Sequence, residues 1–139
     1  MENKRMEIDH EKTLAYWQNH QVKCKCAYCE NYAEAFRINY PHTSELLETF
    51  SVAVEHPLET MPFQYDQEKK EIDYMAFYAI KGTLREKMIP MEHEGLQIQF
   101  VGSKEGENLC PKPEMEEPYF LIWLDQVRLP WVLDKEPEE

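Results

Sequence analysis

Apolar positions recur at helical spacing before Pro62 and alternate after it. Asp9 stands where a helix N-cap is wanted, and Glu11 falls in the first turn, favourable at the positive end of the dipole. Leu14 and Trp17 then make the i, i+3 buried stripe of a helix ending near His20. From Tyr28 to Asn39, Tyr28, Tyr32 and Phe36 fall at every fourth position and Ala35 joins them, which predicts a second helix with one continuous apolar face. Pro41 blocks its continuation and biases Tyr40 to an extended conformation. A short third helix, capped by Thr43 or Ser44, carries Leu46, Leu47 and Phe50 and ends before His56-Pro57.

Beyond Pro62, Phe63 and Tyr65 alternate with Gln64 and Asp66, and 67–71 is a charged connection. The segment 72–80 has apolar side chains in both registers, which predicts a long central strand with Gly82 at its end. Leu96, Ile98 and Phe100 alternate with Gln97 and Gln99, giving a strand with one wet face, and 119–127 is a further strand, apolar on both faces over Phe120 to Leu124. The remaining segments, Arg85 to Glu94 and Gly102 to Pro118, read as loops, and the first eight residues as a polar, frayed end. The expected fold is α+β: N-terminal helices packed on a C-terminal antiparallel sheet of about four strands, with 1–133 as one domain and 134–139 as an acidic disordered tail.

Charge narrows the partners. At −12 the chain is a poor match for a phosphate backbone or an anionic membrane surface, so neither nucleic acid nor membrane is expected. No run approaches the roughly 20 apolar residues of a membrane-spanning helix, and the charged start lacks the apolar core of a secretory signal. A cytoplasmic location is therefore expected, where cysteines stay reduced.

Chemistry concentrates in one stretch. Cys24, Cys26 and Cys29 have C-x-C-x2-C spacing at the entrance of the second helix. Three thiolates so close repel one another unless protonated or neutralised, and zinc does the latter with four ligands. Cys110, in a Cys-Pro-Lys-Pro turn, is the expected fourth; His20 and His42 are alternatives, and Lys23 and Lys25 would offset the charge of a tetrathiolate. An iron–sulfur cluster is the less favoured occupant. The competing readings are inert thiols packed under the helices, or redox chemistry at the C-x2-C pair Cys26 and Cys29. There a helix N-terminus and the two lysines favour the thiolate. A thioredoxin-like architecture fits poorly, because these cysteines follow a polar helix, Gln18-Asn19-His20-Gln21, rather than a buried strand of a βαβ unit.

Elsewhere the signals are weaker. Glu92-His93-Glu94 could form an acid–base or metal pair, or simply a solvated face. Tyr74, Tyr78, Tyr119 and Trp123 could line a ligand pocket on the sheet, or be core. A nucleophile elbow, a Gly-rich phosphate loop and a His-Glu-x-x-His helix are absent, and four scattered glycines cannot build a nucleotide cradle.

Along Cys24-Lys25-Cys26-Ala27-Tyr28-Cys29-Glu30-Asn31-Tyr32 the chain resembles a family of small bacterial proteins without an assigned activity. The resemblance extends to a short leucine-rich helix before Pro57-Leu58-Glu59, a Tyr-rich strand ending Lys81-Gly82, and a closing Leu129-Pro130-Trp131-Val132-Leu133. It implies a cytosolic bacterial origin and transfers no catalytic residue. The leading expectation is a non-enzymatic protein whose cysteines hold structural zinc and whose surface docks a protein partner. The alternatives are a thiol redox enzyme or sensor using Cys26 and Cys29, and a small-ligand binder using the aromatic sheet face.

Overall fold

Among the described residues strand, at 39%, outweighs helix, at 25%, and the sheet begins before the first helix. The computed structural model describes residues 5–19 and 26–137. Its elements run β1 (Met6–Ile8), α1 (His10–Asn19), α2 (Ala27–Asn39), α3 (Pro41–Thr49), β2 (Glu59–Asp66), β3 (Glu71–Leu84), β4 (Met88–His93), β5 (Leu96–Gly102) and β6 (Tyr119–Pro130). Among the described residues these six strands form one curled antiparallel sheet, ordered β1–β3–β6–β5–β4, with β2 also paired to β3. No helix among them is long and apolar enough to cross a membrane.

The expected arrangement of N-terminal helices on a C-terminal sheet of about four strands is thus corrected. Two strands were hidden for physical reasons. β1 has only three residues, too few for a period, and is a strand because it pairs with Gly82, Thr83 and Leu84 and buries Met6. β4 is an edge strand with Pro90 inside it, tolerable where one side lacks a ladder partner, and only Ile89 of its six residues is buried.

β3 is the axis. One edge pairs with β6 along most of its length; the other is shared, β2 covering 71–77 and β1 covering 82–84. The gap between is closed by α1 and its flanks. Asp9 N–H donates to Lys81 O at 2.8 Å, Lys81 N–H to Thr13 Oγ1 at 3.0 Å, and Trp17 Nε1 to Ala79 O at 3.0 Å. This explains why α1 buries Thr13 and Trp17 and leaves the expected core residue Leu14 half exposed: the helix is phased by hydrogen bonds to a strand edge. Asp9 does cap it, Oδ1 accepting from Lys12 N–H at 3.0 Å.

Gly82 is required where β1 crosses this edge, because a Cβ there would be driven into the carbonyl oxygen of Glu7. Gly82→Ala is expected to cost about 1–3 kcal/mol and to speed amide exchange in β1 ahead of the rest of the sheet. An unchanged thermal midpoint would show that β1 pairing contributes little.

A bulge in β6 sets the other end. The register against β3 slips between Tyr74/Ala76, with Gln126 at φ 54. The extra residue flips the side-chain phase, so Val127 and Leu129 turn back to the helix-covered face, and Arg128 turns outward to Asp73 at 2.8 Å. The chain thereby reaches Pro130 beside α2. On that face Tyr32 meets Tyr74 at 5.3 Å and Phe50 meets Phe100 at 5.5 Å between centroids, each buried ring contributing about 1.5–3 kcal/mol. The opposite face is roofed by the β5–β6 connection, with Met115 buried and Gly106 closely over Leu121.

The third helix also begins differently from expectation. Pro41 ends α2 and opens α3 at its first position, so neither Thr43 nor Ser44 is the cap. The cap comes from outside. Glu94 and Gly95, at φ 54 and 81, form the two-residue turn of the β4–β5 hairpin. The Glu94 carboxylate accepts from Thr43 N–H at 2.8 Å and His42 N–H at 3.2 Å. Desolvation acts to raise its pKa, but these donors and the Thr43 hydroxyl outweigh it and hold the carboxyl below its ordinary value.

Candidate functional site

The phase of α2 determines what its first turn presents. Ala27, Asn31, Tyr32, Ala35 and Phe36 face the sheet and are buried. Cys26, Cys29, Glu30 and Ala33 therefore share the neighbouring stripe, which borders a cleft of about 310 Å³. Cys26 is the N-cap, at φ −71 and ψ 162, and its side chain makes no capping hydrogen bond. Cys29 lies three residues on, so the two thiols meet: Cys26 Sγ–H points to Cys29 Sγ at 3.5 Å, Cys26 exposed and Cys29 half-buried.

This turn is anchored from below. Tyr74 Oη donates to Tyr28 O at 2.7 Å and accepts from Asn31 Nδ2 at 3.4 Å. The Asn31 carboxamide also accepts from Val132 N–H at 2.7 Å and donates to Pro130 O at 3.1 Å. Trp131 packs edge-on against Tyr28 and Tyr65, each at 5.9 Å. Deeper still, Tyr32 and Tyr78 share a hydrogen bond of 2.8 Å, and Tyr78 Oη donates to Val54 O at 2.8 Å. Burial pushes all three tyrosines far above their ordinary pKa, Tyr78 further through the neighbouring Tyr32. They act here as neutral hydrogen-bonding posts.

The far wall is the segment entering β2. Leu58 N–H donates to Phe77 O at 2.7 Å, which pins Pro57 and Leu58 opposite the thiols. Thr60 continues that wall, and its Oγ1 is buried with no hydrogen-bond partner among the described residues. Such an orphan hydroxyl costs about 1–3 kcal/mol. Glu30 and Glu55 stand on the same walls, whereas Glu59, opposite Phe77 in the register and close enough to Cys110 to act on its thiol, turns to the other face of the sheet. Arg37 holds Glu55 at 2.5 Å and Lys135 holds Glu30 at 3.5 Å, whereas Glu59 has no cationic partner among the described residues.

The structure thus brings Cys26 and Cys29 together. Cys24, His20, Lys23 and Lys25 lie outside the described residues. Cys110 sits half-buried in the β5–β6 connection, where burial, and then the charge of Glu59, push its thiol up to about 11. It does not join the pair: among the described residues no three His, Cys, Asp or Glu side chains gather as a metal-holding group. His42 sits in the first turn of α3, and the His93-Glu94 pair is taken up by Thr43, with His93 Nδ1 2.9 Å from its hydroxyl. Glu92 accepts from Gln97 at 3.3 Å.

The four sheet aromatics are divided between faces. Tyr74 and Tyr78 lie under α2, while Trp123 stacks on Phe77 at 5.8 Å on the opposite side and Tyr119 shares that side across from Lys81. They line no common pocket. The cleft beside the cysteines uses other residues, chiefly Leu58 and Thr60, and Pro57-Leu58-Glu59 was visible only as a short element with no partner assigned. Compared with protein-family models, curated proteins and solved structures, the chain matches none.

Proposed function

We propose that Cys26 and Cys29 form a thiol–disulfide exchange centre opening on the adjacent cleft. The observation that carries this is the 3.5 Å separation of the two sulfurs at a helix N-terminus, one exposed and one partly covered. A small side-chain rotation brings them to the roughly 2.05 Å of a disulfide. The Cys26 thiolate attacks a substrate disulfide, forming a mixed disulfide and expelling one thiolate, which takes up a proton. The Cys29 thiolate then attacks the Cys26 sulfur, closing the protein disulfide and expelling the second thiol. One substrate disulfide has become two thiols, and the protein dithiol has lost two electrons and two protons. The first turn of α2 has no side-chain cap from Cys26, and the positive end of the helix dipole lies at the pair.

A second reading rests on the same distance. Two sulfurs on a tetrahedral zinc, each about 2.3 Å from it, sit roughly 3.8 Å apart, close to what is seen. Completing such a site would draw on ligands beyond this pair, Cys24 first among them.

One preparation separates the two. Protein purified without a polyhistidine tag and treated with an equimolar neutral disulfide is expected to lose about 2 Da, with Cys26 and Cys29 cross-linked in one peptide. Cys29→Ser is expected to stop at a mixed disulfide on Cys26. Near-stoichiometric zinc that leaves on Cys26→Ser or Cys29→Ser, with thiols inert until the metal is chelated, would overturn the exchange reading in favour of zinc.

A further inference from the structure

We infer that the cleft beside the thiols selects small, uncharged or cationic apolar disulfides and excludes anionic ones such as oxidised glutathione. This rests on the exchange reading and names its substrate class. Three features point the same way. The cleft holds about 310 Å³, at the small end for ligand pockets, enough for one aromatic ring with a short chain and too little for a hexapeptide-sized disulfide. Its walls facing the sulfurs are apolar: Ala33 from α2, and Pro57, Leu58 and Pro62 from the segment that enters and forms β2.

The carboxylates on its walls then set charge. Glu30 and Glu55 both line the cleft, and the chain as a whole carries −12. A carboxylate-bearing disulfide approaching Cys26 meets like charge, which slows its encounter; a neutral or cationic one does not. The two reacting sulfurs and the apolar cavity are contiguous.

The test compares three disulfide reagents on the full reduced chain: 4,4′-dithiodipyridine, which is neutral and aromatic; 5,5′-dithiobis(2-nitrobenzoate), which is aromatic and dianionic; and oxidised glutathione. Modification at Cys26 is mapped by peptide mass on Cys29→Ser, where the mixed disulfide persists, and each rate is divided by that of free cysteine under the same conditions. The normalised rate with the neutral reagent is expected to exceed the other two by about tenfold or more at low salt. Glu30→Gln, which releases Lys135, should raise the dianionic rate several-fold, and Leu58→Ser should slow the pyridyl reagent, whose ring packs on that wall. Exchange at Cys26 with the same relative rates as free cysteine would overturn the selectivity while leaving the exchange centre intact. Cys26 unreactive to all three would overturn both.

Discussion

Between pH 10 and pH 12 the protein is expected to unfold in one cooperative step. Tyr32, Tyr74 and Tyr78 are fully buried, and burial raises the pKa of each far above the ordinary value of 10.0. A phenol that resists ionisation in the folded chain but ionises freely in the unfolded one stabilises the fold below the unfolded pKa. That stability is lost as pH rises toward the folded value. Each such group costs about 1.4 kcal/mol per pH unit above 10, so three cost roughly 4 kcal/mol per unit. By pH 12 the loss is about 8 kcal/mol, comparable to the whole stability of a typical domain. Far-ultraviolet circular dichroism and tyrosinate absorbance should therefore change together, and Tyr78→Phe should flatten the dependence by about a third. Smooth ionisation of all tyrosines near pH 10 with the dichroism unchanged would contradict it.

The same three tyrosines show what the chain alone makes legible. Tyr74 and Tyr78 announce β3, because a run apolar in both registers is a strand covered on both sides, and Tyr32 announces α2 through its spacing from Tyr28 and Phe36. What cannot be read is that Tyr32 and Tyr78, 46 residues apart, share one hydrogen bond, since periodicity carries no partner. The errors follow the same line. Thr13 looks like a solvent residue and is buried because β3 needs a donor and acceptor there; β1 and β4 pair without a usable pattern of their own. Pro41, read as a stop, is also a start. At the candidate site the pairing of Cys26 with Cys29 was legible from C-x2-C spacing on a helix. The cleft was not, because its second wall comes from the segment entering β2, folded against α2 only by way of the sheet.

Asn31→Ala is expected to cost about 2–4 kcal/mol, more than its modest size suggests, because it orphans backbone groups on a distant segment. Asn31 is fully buried, and its carboxamide is the tie between α2 and the end of the chain, accepting from Val132 N–H and donating to Pro130 O and Tyr74 Oη. Alanine leaves Val132 N–H and Pro130 O without those partners, at about 1–3 kcal/mol each where water does not replace them. Tyr74 keeps its bond to Tyr28 O, so the helix itself should persist. The closing segment should loosen first, since Trp131 is then held by Lys70 O, by its bond to Lys135 O and by edge contacts with Tyr28 and Tyr65. Asn31→Asp should be worse than alanine, since it retains the acceptor, removes both donations and buries a charge. Urea unfolding measures the loss, and tryptophan emission measures the loosening around Trp131. The same variant also tests the site: Tyr28 belongs to the first turn that sets the Cys26–Cys29 spacing, so a tie that matters should widen the distribution of that spacing and slow disulfide closure. A loss below about 0.5 kcal/mol, within the range of an ordinary surface substitution, would show that the closing segment is held by Trp131 and not by Asn31.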